Sequence, residues 1–471
     1  MELAQKFKIE ITPEQEEVSW ILSEKCRLIH NFALGHRIKV YDDTGTSITY
    51  QMQQDELPGI KAKYPEYEWV YSKVLEMVLY QLNSDFKSFI KKRKNGDETA
   101  RRPGYKGRDY FVSMIWNQSG FRIQNGYIIL SHFYNEGKKS YVELKFKIPE
   151  DLMENTDVDL QEIYDLGKIK QIIMTREEPN RKKKSDYYIS VVYEYPIGYM
   201  KDNGLYQAID LGISKTVCAV NMEAKFFEIK NPRYDLYWNP IIDEIQSRRD
   251  HCRKETTKEK IIIEYVDKKG KKKEKEIEKK NAEVSNKWVR LNDTKKKCHT
   301  KCSNQIEDWQ HKKTKKMVEN TKSNTIIIGD LNVKEMAQSG IKIDVKDKDS
   351  GETKIIDVRS KKLNRSTQNQ GYLSRFVGFL TYKAKKIGKR VIEISEKNTT
   401  KRCYVCGKIH DMTLSNRIMK CDCGNIIDRD RNSTINIMLD FLLKYNLFDG
   451  LRRFMNSLKR EGLLVPIWIK I

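Results

Sequence analysis

Four cysteines of this 471-residue chain follow the pattern C-x2-C-x14-C-x-C, as Cys403, Cys406, Cys421 and Cys423. Two close pairs of thiolates on tight turns give the tetrahedral sulfur shell that zinc prefers. With all four positions filled by protein, such a zinc is structural rather than catalytic. A chance cluster of free thiols is the competing reading, and the C-x-C pair departs mildly from the commoner C-x2-C. His410, between the pairs, reads as a loop residue facing solvent or phosphate. Cys26, Cys218, Cys252, Cys298 and Cys302 are scattered, which fits one metal site plus reduced thiols better than a disulfide framework.

Carboxylates form the second group. Asp210 ends the apolar alternating stretch QAID just before Leu211-Gly212, at the rim of a sheet where a ligand can reach it. Downstream, Asp428-Arg429-Asp430-Arg431-Asn432 opens a helix. Acids there can be caps that complement the helix dipole, so one of the two is assigned to capping and the other to chemistry. Convergent carboxylates suit Mg²⁺ or Mn²⁺, and a pair of such ions can activate water and stabilise the leaving oxygen in phosphodiester cleavage. The rest of the chain is basic, with a formal net charge of +23, which favours a polyanionic partner over a merely soluble basic protein. There is no run of 18 apolar residues, and MELAQKFKIEITPEQ has no signal-peptide core. The expectation is therefore a cytoplasmic, nucleoid-associated protein with a nucleic-acid partner and no membrane.

Residues 3–12 alternate like a strand, and Thr12-Pro13-Glu14-Gln15 is a strong helix start. A helical block runs to about 95, interrupted near DDTGT and LPG. From about 101 to 200 short alternating segments follow, with Asn125-Gly126 as a hairpin signal. This half reads as a small β-barrel with a helical domain inserted in it. Beyond 200, strands and helices alternate, predicting an α/β domain with a mixed sheet. Its strands include LYQAIDLGISKTVCAVNMEAKFFEI, TIIIGDLNV and RVIEIS; residues 240–320 are basic and helical, with a charged hairpin at the tip. A polar hairpin at 340–358, an amphipathic helix around GYLSRFVGFLTYKAKKIG and a final helix from about Asp430 complete the reading. For phosphate contact the acid-free runs KKCHTKCS and QHKKTKK are preferred (Lys297, Lys301, Lys312, Lys313). The aromatic-interleaved segment with Arg101, Arg102, Tyr105, Lys106 and Arg108 suits backbone contact plus stacking, although its rings could equally be barrel core.

Taken in order, QAIDLGISKTVCAV, TIIIGDLNVKEM and TKRCYVCGK…MKCDCGNIIDRDRNSTINIM resemble the three RuvC segments and zinc ribbon of the TnpB family. These are transposon-associated RNA-guided nucleases related to the type V CRISPR effectors. ITPEQEEVSWILSEKCRLIHNFAL, RRPGYKGRDYFVSMIWNQSGFRIQNGYIIL and QHKKTKKMVENT extend the resemblance over nearly the whole chain. It implies a multidomain α+β fold. A β-barrel (wedge, oligonucleotide-binding-like) covers 1–12 and 101–200, and a helical recognition domain covers 13–100. A split RuvC, RNase H-like domain covers 201–400 and 426–471, and a target-nucleic-acid-binding zinc ribbon covers 401–425.

The resemblance also implies Mg²⁺-dependent, RNA-guided cleavage of DNA, with a guide RNA, target double- or single-stranded DNA, structural Zn²⁺, and a homodimer left open. Asp210 is then the first catalytic, magnesium-binding acid and Asp430 the third. The second is where the sequence departs: the family's glutamate before Asp-Leu-Asn is here Gly329. Either Asp330 serves, although one residue along a strand changes faces, or Glu396, at the end of RVIEIS, reaches in from an adjacent strand. Strand-end geometry suits Glu396. Ser433-Thr434, replacing the usual alanines, and Asn398 are smaller departures. Gly329 also motivates a different reading, a nuclease-dead RNA-guided DNA-binding repressor; a zinc protein assisting transposition without RNA is a third. Length leans slightly toward a miniature type V effector over a compact TnpB.

Overall fold

The computed structural model describes residues 1–135, 140–150, 159–181, 184–198, 201–252, 254–266, 272–330, 341–346, 353–358, 373–412 and 416–469. The chain divides into two compact units, Met1–Pro196 and Ile197–Ile471.

In the first unit, strand β1 (Glu2–Ile9) leads into helix α1 (Pro13–Thr44), whose start is a capping box: Thr12 and Gln15 each bond the other's backbone N–H. Gly45 ends α1 at φ 70°, as the DDTGT signal predicts. The expected break at LPG is corrected: α2 (Tyr50–Lys63) runs through Pro58. Buried Gln53 holds that helix, donating to the Ala33 carbonyl (2.9 Å) and accepting from Arg37 (2.6 Å), so tertiary bonds override the lost backbone donor. Helix α3 (Ser72–Lys94) ends in the basic run Lys91–Lys94.

Strands β2 (Met114–Asn117), β3 (Phe121–Gln124), β4 (Tyr127–Asn135) and β5 (Ser140–Lys147) follow, then helix α4 (Leu160–Asp165) and strands β6 (Ile169–Arg176) and β7 (Tyr187–Glu194). They form one antiparallel sheet in the order β1-β7-β6-β2 and another in the order β3-β4-β5. Asn125 and Gly126, both at positive φ, make the expected β3–β4 turn. Helices and sheets share one apolar cluster from Phe7 to Tyr193, with Trp20 of α1 edge-on to Phe111 at 5.2 Å. The helical block thus has no core separate from the strands.

The second unit is built on β8 (Tyr206–Leu211), β9 (Lys215–Asn221) and β10 (Phe226–Lys230), followed by α5 (Tyr234–Asp250). A hairpin of β11 (Lys254–Val266) and β12 (Lys272–Val284) leads to the long helix α6 (Asn286–Asn320), which gives the expected hairpin at the tip of a helical pair. Next come β13 (Thr325–Asp330), the hairpin β14 (Ile341–Lys346) and β15 (Thr353–Val358), helix α7 (Leu373–Lys386) and β16 (Arg390–Ser395). The short pair β17 (Ile418–Lys420) and β18 (Ile426–Asp428) precedes α8 (Arg429–Lys444) and α9 (Phe448–Arg460). One helix was expected at the C-terminal end; the turn Tyr445–Leu447 divides two.

The sheet order is β10-β9-β8-β13-β16, with the first three strands antiparallel and β8, β13 and β16 parallel: the mixed sheet the alternation predicts. Tyr206, Ala208, Ile327 and Ile394 face α8 and α9. Ile209, Leu211, Ile326 and Ile328 face α6 and α7. Strand alternation therefore decides which helical layer each end-of-strand residue serves. Residues 331–336 of the middle segment lie outside the described residues. Among the described residues no helix is long and apolar enough to cross a membrane.

Candidate active site and metal centre

Asp210 shares its face of β8 with Tyr206 and Ala208 and so points toward α8. It is 9% exposed, and burial first, then the charges of Asp430 and Glu396, push its carboxyl well above the usual range. The Ser433 hydroxyl and Arg429 pull the other way.

The sequence leaves Asp428 and Asp430 unresolved between cap and chemistry, and the structure separates them. Asp428 Oδ1 accepts from the backbone N–H groups of Asp430 (2.9 Å) and Arg431 (3.2 Å), so it is the N-cap of α8. Asp430, in the first turn at the positive end of the helix, makes no such cap, and its pKa is raised by burial and then by Asp428. Lys215 of β9 stands between them, with Nζ 3.0 Å from Asp428, 3.1 Å from Glu228 and 3.9 Å from Asp430. Arg431 completes the network through Glu228 at 2.8 Å.

The middle acid turns on Gly329. In the β13–β16 register Gly329 sits opposite Ile394 and Asp330 opposite Ser395. Asp330 is exposed, and with Glu393 it lines a cleft of about 250 Å³ on the α7 side, the face away from Asp210. Glu396, two residues beyond Ile394, is on the Asp210 side, and its carboxylate fills the space over Gly329. A Cβ at 329 would lie 2.5 Å from Glu396 Oε2 and 3.0 Å from its Cβ. Burial, then the charge of Asp330, raises the Glu396 pKa to about 7.

Hydrogen bonds lock the turn after Glu396 to α8. The Thr399 amide and hydroxyl both donate to the Glu396 carbonyl (3.1 and 2.9 Å). Asn432 and Asn436 each donate to the Thr399 and Arg402 carbonyls, and Ser433 bonds the Thr399 hydroxyl at 3.0 Å. Glu396 and Asp430 are thereby held on one rigid frame. No local signal in the sequence assigns these roles to Lys215, Thr399 or Asn436; Asn432 stands there only as part of the Asp428–Asn432 motif and Ser433 only as a departure.

The four cysteines are the group of three or more His, Cys, Asp or Glu among the described residues whose donor atoms all fall within 4.8 Å. Four sulfurs at about 2.3 Å from a zinc ion sit about 3.8 Å apart. Cys403–Cys423 at 3.7 Å and Cys406–Cys421 at 3.5 Å match that shell, with Gly407 and Gly424 at positive φ after each pair. These residues fit a structural zinc. The three carboxylates are spread more widely than 4.8 Å, an open arrangement whose mutual repulsion a divalent cation would relieve. The ribbon is tied to the acids: the Tyr404 amide donates to Asn432 Oδ1 at 3.1 Å, and Trp468 donates to the Tyr404 carbonyl at 2.9 Å. His410 departs from expectation, since its Nε2 is shielded from solvent with no partner among the described residues.

The nucleic-acid candidates fall in two places. Arg101 lines two adjacent clefts in the first unit, of about 350 and 470 Å³, with Lys106 in the first and Arg102 and Tyr105 in the second. Lys92 and Arg93 from the end of α3 add further charge there. Tyr105 is 61% exposed, so it is not core. On α6, Lys312 pairs with Asp308 at 2.7 Å, whereas Lys313 lines a separate pocket, and Lys297 and Lys301 are on the same helix. Arg108 lies in the loop before β2.

Residues 374–437 match the family model described as "Cas12f1-like, TNB domain". The mimivirus TnpB-like protein L79 is 33% identical over 150 residues, 32% of this chain and a quarter of that protein's length. A Streptomyces pristinaespiralis protein, provisionally assigned as an RNA-guided DNA endonuclease, is 22% identical over 95% of this chain and 91% of its own. The protein in a structure of a Cas12f1–sgRNA–target DNA complex shares the fold, with TM-score 0.56, 14% identity, and coverage of 90% of this chain and 83% of that one. The chain is therefore similar to TnpB-like proteins over about a third of its length, and its fold is shared with the protein of that Cas12f1 complex.

Proposed function

We propose that this chain is an RNA-guided DNA endonuclease in which Asp210, Glu396 and Asp430 hold catalytic Mg²⁺ or Mn²⁺. The observation that carries the reading is the Glu396 carboxylate in the space over Gly329. The acid absent from β13 is supplied by the neighbouring parallel strand, on the same sheet face as Asp210. This arrangement argues against the nuclease-dead reading, because Gly329 is the residue that makes room for Glu396. Divalent ions bound there would supply Lewis acidity for attack of water on a phosphodiester. The chain's own contribution is positional: Asp428 caps α8, Lys215 restrains Asp428 and Glu228 beside Asp430, and the Thr399–Asn432–Asn436 bonds fix Glu396 against the helix.

In the same reading, the strands of residues 1–12 and 101–200 serve as the wedge, the helices of 13–100 as the recognition element, and the ribbon as a target-binding element. Arg101, Arg102, Tyr105, Lys106 and Arg108 contact nucleic acid in the first unit, and Lys297, Lys301, Lys312 and Lys313 contact it on α6. Guide RNA carries the sequence information and DNA is the substrate. The test is cleavage of guide-matched DNA by the purified ribonucleoprotein with and without Mg²⁺. Cleavage that needs both Mg²⁺ and RNA supports the proposal, and cleavage in EDTA overturns it.

A further inference from the structure

On the sheet face opposite Asp210 lies a pocket of about 550 Å³ between β8–β10 and the C-terminal end of α6. Its floor includes Gln207, which alternates with Asp210 and so faces the other layer. Gln207 is 9% exposed, and its Oε1 is shielded from solvent with no hydrogen-bond partner among the described residues. A buried polar atom without a partner is costly, and a small rotation that turns the Gln207 amide toward a bound ligand removes that cost. Phe227, 38% exposed, and the buried Met317 also line the pocket. Lys313, Lys316 and Lys322 line the mouth. None of the three has a carboxylate within 4.0 Å among the described residues, whereas Lys312 and Lys315 are paired to Asp308 and Glu319 along the helix. Glu223 is an acid at the rim; Glu228 turns away to Lys215 and Arg431.

We propose that this pocket takes one unstacked nucleotide of the guide RNA, its base stacked on Phe227 with an edge toward Gln207 and its phosphate on Lys313, Lys316 and Lys322. The volume fits a single nucleotide and excludes a duplex. A flat ring, a buried amide and a cluster of unpaired ammonium groups match the three parts of a nucleotide, and protein recognition of RNA favours splayed, stacked bases. The inference rests on the RNA-guided reading above, but the site lies on the far face of the sheet from the acids and takes no part in cleavage chemistry.

The test uses the full chain with the RNA that copurifies with it, bound to target duplex and cross-linked by ultraviolet light, with adducts located by mass spectrometry. The expected result is a ribonucleotide adduct on peptides containing Phe227 or Lys313, lost in Phe227→Ala and kept in Phe227→Tyr. RNA dissociation should quicken roughly tenfold in Phe227→Ala and in Lys313→Ala/Lys316→Ala. Phe227 is a surface ring, and unchanged melting of both variants separates loss of binding from loss of fold. Adducts confined to other peptides, with both variants within about twofold of wild type, overturn this site and leave the RNA-guided reading standing. A deoxyribonucleotide adduct in the pocket also overturns it. A chain that retains no RNA overturns the RNA-guided reading itself, and this site with it.

Discussion

Replacing Gly329 by alanine isolates the feature on which the proposed active site depends. The added methyl would sit 2.5 Å from Glu396 Oε2 and 3.0 Å from Glu396 Cβ. Ordinary contact is restored only if the carboxylate moves by roughly 1 Å, a misplacement that can lower a rate about 100-fold. That corresponds to about 2.7 kcal/mol of lost transition-state stabilisation. Gly329 is in an extended strand, where alanine is accepted by the backbone, so folding should survive. The assay is single-turnover cleavage of guide-matched DNA by saturating ribonucleoprotein, alongside target binding without Mg²⁺. The expected outcome is slow cleavage with unchanged binding, and no additional loss when Gly329→Ala is placed on Glu396→Ala. Wild-type cleavage by Gly329→Ala would refute the reasoning, since the carboxylate would then be elsewhere or dispensable.

The pH dependence of stability follows from Glu396, whose carboxyl is raised from 4.5 to about 7 by burial and then by Asp330. Its ionised form opposes folding above pH 7, so the metal-free chain gains stability as pH falls from about 7 to 4.5. Glu396→Gln should remove that gain and stabilise the EDTA-treated protein at pH 8 by about 1–2 kcal/mol, after allowance for partial solvent exposure. Equal melting of the two proteins at pH 8 counts against the burial argument. Lys215→Met should lower stability by about 1–2 kcal/mol and slow cleavage, because Asp428, Glu228 and Asp430 lose their shared cation. Unchanged melting and cleavage would show the network to be idle. Chelating zinc, or Cys406→Ser, should lower the melting temperature by several degrees and reduce cleavage with it, through the Tyr404–Asn432 link. A folded, fully active zinc-free protein would sink the structural role of the ribbon.

Local signals with a physical mechanism were the most legible part of the chain. Thr12-Pro13 and Asn125-Gly126 specify their conformations within a few residues, and the alternation around QAID assigns Asp210 to one sheet face. Parity along β13 likewise separates Asp330 from Gly329, because a strand has a period of two. The four-cysteine cluster, with its fit to a tetrahedral metal shell, is legible from spacing alone. The packing of Lys215 beside Asp428 depends on register between distant segments, and no local pattern announces it. The same holds for Thr399, whose role comes from two asparagines one helical turn apart on α8. At Pro58 the local helix-breaking rule gives way to buried Gln53, whose partners are on another helix. The pocket over Gln207 was invisible because its walls come from three strands and the end of α6.

The most direct test of the central claim compares Mg²⁺-dependent cleavage of guide-matched DNA by wild type, Glu396→Ala and Asp330→Ala ribonucleoproteins. The account predicts that wild type and Asp330→Ala cut while Glu396→Ala binds its target and does not. Cleavage by Glu396→Ala, or a wild-type complex that binds and never cuts, would contradict it.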